Sequence, residues 1–226
     1  MTSNLATLPI KRLSCAKCLR PKRACICQWI TPIASGTQTV DVLILQHPLE
    51  VSNAKGSARL LHLSLPHSRM VTGELFTAQD LQAKPLKPDT EIDNVRQNIL
   101  LYPHTQYTQH TPNDKAQGVP NPPSLNPSLL RDPSKLRLIV LDGTWRKSRK
   151  MLYLNPVLHT LPRISLKDMP ASHYLIRKAH RADQLSTLEA TCAALMQLES
   201  SVEKYQPLLT AFDSFVAQQL AYRTNH

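Results

Sequence analysis

Four of the chain's five cysteines fall within thirteen residues, CAKCLRPKRACIC, as Cys15, Cys18, Cys25 and Cys27. Two thiolate pairs flanking a six-residue loop can close a tetrahedral site. An all-sulfur donor set suits zinc or an iron–sulfur centre, and a closed site is structural rather than catalytic. The reading here is structural Zn2+, although the single residue between Cys25 and Cys27 is tighter than the usual spacing of about two to four. The alternatives are four unrelated thiols, against which the crowding argues, and a redox pair, for which no activated thiol stands out. Lys17, Arg20, Lys22 and Arg23 stud the loop, so the stapled turn also reads as a contact for a phosphate backbone. Cys192 lies on the inner face of a predicted helix and reads as a small core residue.

A second concentration of chemistry lies in LIVLDGTWRKSRKML, residues 138–152. An apolar run stops at Asp142. Gly143, Thr144 and Trp145 follow, and then the cations Arg146, Lys147, Arg149 and Lys150. A carboxylate at such a junction can act as a general base, orient a ligand, or cap the helix that follows. Trp145 can wall a pocket or pack in the core. The cations can meet phosphate or form a solvated helix face. Spacing alone leaves each of these choices open.

The elements that must position these residues alternate in type. TVDVLILQHP (39–48), NILLYP (98–103), LRLIVLD (136–142) and PRISL (162–166) read as strands, the first nearly continuous in apolar residues, as a strand covered on both faces must be. KGSARLLHLSL (55–65) and TWRKSRKMLYL (144–154) read as helices, with Leu60, Leu61 and Leu65 facing inward on the first. STLEATCAALMQLESS (186–201) opens on Ser186 and Glu189, a capping box, and carries Leu188, Cys192, Leu195 and Met196 along one face. A last helix is expected over 208–222. Residues 109–134, dense in Pro, Asn and Ser, read as a loop without an element of its own. Strands interleaved with helices imply an α/β domain with a mainly parallel sheet, over 37–226, preceded by the zinc-binding segment 1–36. In such sheets ligands gather beyond the carboxyl ends of the strands. Gln46, His47, Tyr102 and Asp142 belong there, with Ser186 and Thr187 at a helix start beside them. His47 has the plainer reading of a satisfied or surface histidine, and Glu189 that of a helix cap.

Lys plus Arg number 27 against 16 Asp plus Glu, a net charge of +11 that favours a polyanionic partner. No apolar run approaches the ~20 residues that span a bilayer. The opening MTSNLATLPIKRLS lacks a long apolar core, so no secretory signal and a cytoplasmic setting are expected.

Asp142-Gly143-Thr144-Trp145 resembles the D-x-T-W signature of the DTW-domain family, and Ser186-Thr187-Leu188-Glu189-Ala190 resembles its S-T-x-E-A element. The four cysteines match its bacterial members. Gln46-His47-Pro48-Leu49-Glu50 and Leu100-Leu101-Tyr102-Pro103 are similar to further family segments, in the family's order. The resemblance runs from Cys15 to about Leu198. It implies a SPOUT-like fold with a C-terminal knot. It implies S-adenosylmethionine as donor, tRNA as acceptor, and transfer of the 3-amino-3-carboxypropyl group to N3 of a variable-loop uridine, position 47, with release of 5′-methylthioadenosine. Asp142 is then the catalytic residue. Leu101, Tyr102, Pro103, Leu141, Gly143, Thr144, Trp145, Leu185, Ser186 and Thr187 form the donor cradle. Lys22, Arg23, Lys55, Arg59, Arg146, Lys147, Arg149, Lys150, Arg177, Lys178 and Arg181 form the tRNA footprint. Either a monomer or a homodimer fits. The rival readings are a SPOUT-like RNA methyltransferase that uses the same donor, and a zinc-stapled RNA-binding protein without catalysis.

Overall fold

Each core strand is apolar at successive positions because helices cover both faces of the sheet. The computed structural model describes residues 13–82, 96–103, 119–166 and 185–224. In chain order these comprise β1 (Asp41–Gln46), α1 (Ala58–Ser64), β2 (Ser68–Thr72), α2 (Ala78–Leu81), β3 (Gln97–Leu101), β4 (Leu136–Asp142), α3 (Trp145–Leu154), α4 (Pro156–His159), β5 (Arg163–Ile164), α5 (Thr187–Glu199) and α6 (Gln206–Thr224). The five strands form one parallel sheet in the order β2-β1-β4-β3-β5.

Side chains alternate across the sheet. Val42, Ile44, Leu138 and Val140 face α1, α5 and α6, where they meet Leu60, Leu61, Leu188, Cys192, Leu195, Phe212 and Phe215. Leu43, Leu45, Ile139 and Leu141 face the other way, onto Met151, Leu152 and Leu158 of α3 and α4. The central pair β1 and β4 runs in register from Asp41 opposite Arg137 to Gln46 opposite Asp142. At its amino end Asp41 is held by Arg96 at 3.0 Å and Arg137 at 3.4 Å. At its carboxyl end Gln46 and Asp142 stand side by side.

α5 begins as its capping box predicts: Glu189 N–H donates to Ser186 Oγ at 3.2 Å and Ser186 N–H to Glu189 Oε2 at 2.7 Å. Burial pushes the Cys192 thiol up, as expected of a core position. Glu199, at the far end of α5, joins three elements. It accepts from Thr39 N–H and Val40 N–H at 2.9 Å each, from Tyr205 Oη at 2.8 Å, and from Lys204 Nζ.

Three expectations are corrected. β2 and α2 had no counterpart in the sequence reading, because SRMVT at the sheet edge is short and only partly buried. The strand expected over 162–166 shrinks to two residues. The loop over 109–134 does carry elements: Asn126 and Asp132 cap short 3-10 turns at Pro127–Arg131 and Pro133–Lys135, and Leu125 and Leu129 pack against the core. Residues 109–118 of that loop lie outside the described residues.

Candidate functional site

The strand-to-helix turn after β4 is built so that Asp142 does not cap α3. Thr144 takes that role, its Oγ1 accepting from Lys147 N–H at 3.3 Å, and Ser148 N–H donates to Thr144 O at 2.8 Å. Gly143 lets the first turn of the helix close in: a Cβ there would lie 3.1 Å from Lys147 Cβ. The helix-cap reading of Asp142 is therefore replaced. Its carboxylate is 5% exposed and points across the sheet edge. Gln46 Nε2 donates to Oδ2 at 2.9 Å, and Thr187 Oγ1 donates to Oδ1 at 2.7 Å. His47 N–H donates to the Asp142 carbonyl at 3.0 Å. Two segments distant in the chain, 46–47 and 187, thus converge on this acid.

Beside it lies a cavity of about 190 Å³. Asp142, Gly143, Thr144, Ser186 and Thr187 form one side. The other side is Glu50, Asn53, Lys55, Gly56 and Ser57. That is smaller than the roughly 300 Å³ of a typical pocket for a drug-sized ligand. In this second wall Asn53, Gly56 and Ser57 carry no site signal in the sequence, whereas Lys55 is a candidate cation and Glu50 belongs to the family-like segment 46–50. Glu50 is buried, accepting from Lys147 Nζ at 2.7 Å and from Asn53 Nδ2 at 2.7 Å. Ser57, read as helical, precedes α1 and uses its hydroxyl to accept from Leu188 N–H at 3.2 Å, which binds this wall to α5. Nothing in the local pattern marks Ser57 as a partner of a residue 131 positions away.

The remaining cradle residues fall outside this cavity's lining. Tyr102 is buried and Leu101 half-buried, Pro103 is exposed, Leu141 is buried and Leu185 half-buried. Tyr102 and Trp145 stack with ring centroids 5.3 Å apart and planes within 13°. Trp145 is 46% exposed, which corrects the core-packing alternative: its ring covers Tyr102 from outside. The guanidinium of Arg163 lies 5.4 Å from the Tyr102 ring centre. His47 is buried and satisfied. Its Nδ1 accepts from Leu49 N–H at 3.2 Å and its Nε2 meets Glu74 at 2.6 Å. Lys150 also contacts Glu74, at 2.9 Å, and holds that carboxyl below its ordinary range.

The cations divide by environment. Lys22, Arg23, Lys55 and Arg146 are exposed and Arg149 is half-buried. Lys147 and Lys150 are in ion pairs, and Arg59 donates to Lys17 O at 3.0 Å. Arg177, Lys178 and Arg181 lie outside the described residues. Arg20, grouped by sequence with the loop cations, is buried.

The four cysteine sulfurs lie within 4.8 Å of one another, with Cys15 Sγ and Cys27 Sγ 3.6 Å apart and Cys18 Sγ and Cys25 Sγ 3.7 Å apart. This all-thiol set fits a tetrahedral metal ion. Backbone N–H groups of Cys18 and Lys17 hold the Cys15 thiol down to about 6, and burial pushes Cys27 up to about 12. Among the described residues no helix is long and apolar enough to cross a membrane.

A family model described as DTW domain matches residues 12–220. Among curated proteins, the chain is 26% identical over 218 residues to "tRNA-uridine aminocarboxypropyltransferase 2" of Mus musculus, covering 94% of this chain and 65% of that one. It is 28% identical over 218 residues to the protein of the same name in Drosophila melanogaster, covering 94% and 77%. Over 157 residues it is 29% identical to "tRNA-uridine aminocarboxypropyltransferase A" of Arabidopsis thaliana, covering 66% and 53%. The chain therefore spans just under two thirds of the mouse relative's length. These relatives are animal and plant proteins, where the cysteines had pointed to bacterial members. No solved structure matches the chain.

Proposed function

Because the chain belongs to the DTW domain family, we propose that it is a tRNA-uridine aminocarboxypropyltransferase. Uridine N3 attacks the methylene carbon that joins the methionine chain of S-adenosylmethionine to sulfur. The new N–C bond forms as the C–S bond breaks, the N3 proton leaves, and 5′-methylthioadenosine departs with the sulfur lone pair. The acceptor is the variable-loop uridine at position 47 of tRNA.

The observation that carries this reading is the Asp142 carboxylate, held at the edge of a small cavity by Gln46 and Thr187. A general base must lie within reach of the proton it takes. Asp142 is the carboxylate of the D-x-T-W turn, and in this reading it accepts the N3 proton. A second role is favoured by the same geometry. Both of its oxygens already accept hydrogen bonds, which suits an acid that orients the donor's amino acid or the uracil edge. In this reading the longer arm of the sulfonium, rather than its methyl, is presented to the base. Near-attack alignment of one carbon over another is worth several kcal/mol, enough to choose the product.

Leu101, Tyr102 and Pro103, residues 141–145, and Leu185, Ser186 and Thr187 cradle the donor, with Trp145 as an outer wall. The exposed Lys22, Arg23, Lys55 and Arg146, with Arg149 and the 177–181 cations, meet phosphate, which sets orientation but carries no sequence information. Recognition then rests on tRNA shape and on an unstacked loop base entering the cavity. Cys15, Cys18, Cys25 and Cys27 hold Zn2+, which supplies rigidity to the turn. The sheet belongs to a SPOUT-like domain with a C-terminal knot, in a cytoplasmic protein that acts as a monomer or homodimer.

The test is to incubate the purified protein with unmodified tRNA and S-adenosylmethionine. The expected result is methylthioadenosine in solution and an aminocarboxypropyl mass on uridine 47. S-adenosylhomocysteine with a methylated base would assign the chain to the methyltransferase reading instead. Tight tRNA binding with no donor turnover would leave a non-catalytic binder.

A further inference from the structure

The cysteine turn and the cavity are joined through one side chain. Arg20 lies between the cysteine pairs, yet it is 8% exposed while Lys17, Lys22 and Arg23 around it are exposed. Its Nη1 donates to Ala54 O at 2.6 Å and its Nη2 to Gly56 O at 2.6 Å. The guanidinium lies over the Phe215 ring, 5.2 Å from its centre. Two charge-assisted bonds to neighbouring carbonyls fix a loop more firmly than neutral ones would.

Both ends of this bridge matter. On one side, the position of Arg20 is set by the cysteine turn: Cys15 N–H donates to Arg20 O at 2.7 Å and Leu19 N–H to Cys15 O at 2.8 Å. Leu19 adopts φ +60°, a left-handed conformation uncommon for leucine, directly after Cys18. Closing the four thiolates on one ion holds that turn. On the other side, Gly56 and Ser57 line the cavity, and Ser57 ties it to α5. Residues 51–55, which include the Ala54 anchor, are all exposed, so few core contacts hold this stretch. Arg59 returns the connection through Lys17 O.

We propose that Arg20 is a positioning residue: through its two bonds to Ala54 O and Gly56 O, metal closure of the cysteine turn sets the 54–57 wall of the substrate cavity. Loss of the metal therefore loosens the cavity before it unfolds the sheet. The functional half of this inference rests on reading the cavity as the substrate site; the mechanical half does not.

The experiment compares the full chain, metal-loaded, with Arg20→Met and Arg20→Lys. Metal content is measured by elemental analysis, backbone order by amide hydrogen exchange, and donor affinity by calorimetry with S-adenosylmethionine. In Arg20→Met the metal stays at the wild-type level. Exchange over 53–57 accelerates about tenfold or more, as expected for losing two bonds from a charged group, and donor affinity falls with it. Exchange in β1 and β4 is unchanged. Arg20→Lys recovers part of both. Stripping the metal from the wild-type chain with a chelator reproduces the loop effect, and stripping it from Arg20→Met adds nothing further at 53–57, because the two changes act on one linkage. Wild-type exchange over 53–57 in metal-loaded Arg20→Met would overturn the proposal. So would equal acceleration in β4, which marks general destabilisation, or additive effects of chelation and substitution. If the wild-type protein binds no donor, the proposed activity fails, while the exchange measurements still decide the linkage.

Discussion

Thr187 donates its hydroxyl to Asp142 Oδ1 at 2.7 Å, across 45 residues of sequence, while Gln46 occupies Oδ2. The acid is thereby aimed rather than free to rotate. Asp142→Asn preserves the shape but removes both the charge and one accepting oxygen. Turnover is expected to fall by about 10²- to 10⁴-fold with tRNA affinity unchanged. Near-normal turnover would confine Asp142 to orientation.

Trp145 stacks on the buried Tyr102, with ring centroids 5.3 Å apart. Trp145→Ala is expected to weaken donor binding by about fivefold, the size of a lost aromatic contact of about 1 kcal/mol. Its melting temperature should move little, because Trp145 is 46% exposed. Calorimetry and a thermal melt on the same sample separate the two effects. A large drop in melting temperature at unchanged affinity would mean that the ring is structural.

Neighbouring cations of α3 should behave differently. Arg146 is exposed, whereas Lys147 pairs with the buried Glu50 at 2.7 Å. Arg146→Ala should leave stability unchanged and reduce the slope of log tRNA affinity against log salt by about one. Lys147→Met should instead destabilise the fold by about 1–2 kcal/mol, since Glu50 loses a charged partner. Identical salt slopes for wild type and Arg146→Ala would remove Arg146 from the phosphate contacts.

Glu199 gives the fold an acid-sensitive joint. Burial works against its charge, but Lys204, the Val40 and Thr39 N–H groups and Tyr205 outweigh that and hold it below its ordinary value of 4.5. The unfolded chain then takes up the proton first as pH falls. The stabilisation from Glu199 is complete above the unfolded value and is lost as pH drops through the lower folded one. Glu199→Gln should cost about 2–4 kcal/mol at neutral pH and flatten the acid limb of the stability curve. Denaturant unfolding at several pH values reads both, and an unchanged acid limb would show that other carboxylates dominate it.

Metal binding should be one ion per chain and should weaken in acid, because the thiols must lose their protons to bind. Cys18 is 1% exposed and belongs to the main core, whereas Cys15, Cys25 and Cys27 are half-buried. Cys18→Ser should therefore lose the metal and also lower the melting temperature more than the same change at Cys15. Elemental analysis with a thermal melt checks this, and equal effects at the two positions would contradict it.

The local pattern of residues was sufficient for much of the architecture. Apolar runs at 39–48 and 136–142 read as covered strands, Ser186 and Glu189 fitted a helix start, and the crowded thiols read as one metal site. These follow from neighbours in the chain, through backbone geometry and capping. Which side chains meet at the site was a tertiary decision. Whether Asp142 capped a helix or faced a cavity depended on Thr144 taking the cap and on Thr187 arriving from α5. Glu50, Asn53 and Ser57 became a wall only when the loop before α1 folded against that helix start. Arg20 looked like its cationic neighbours until the fold buried it against two carbonyls and Phe215. Periodicity reports which face of an element is apolar, but contacts between residues far apart in sequence exist only once the sheet and its helices have set their distances.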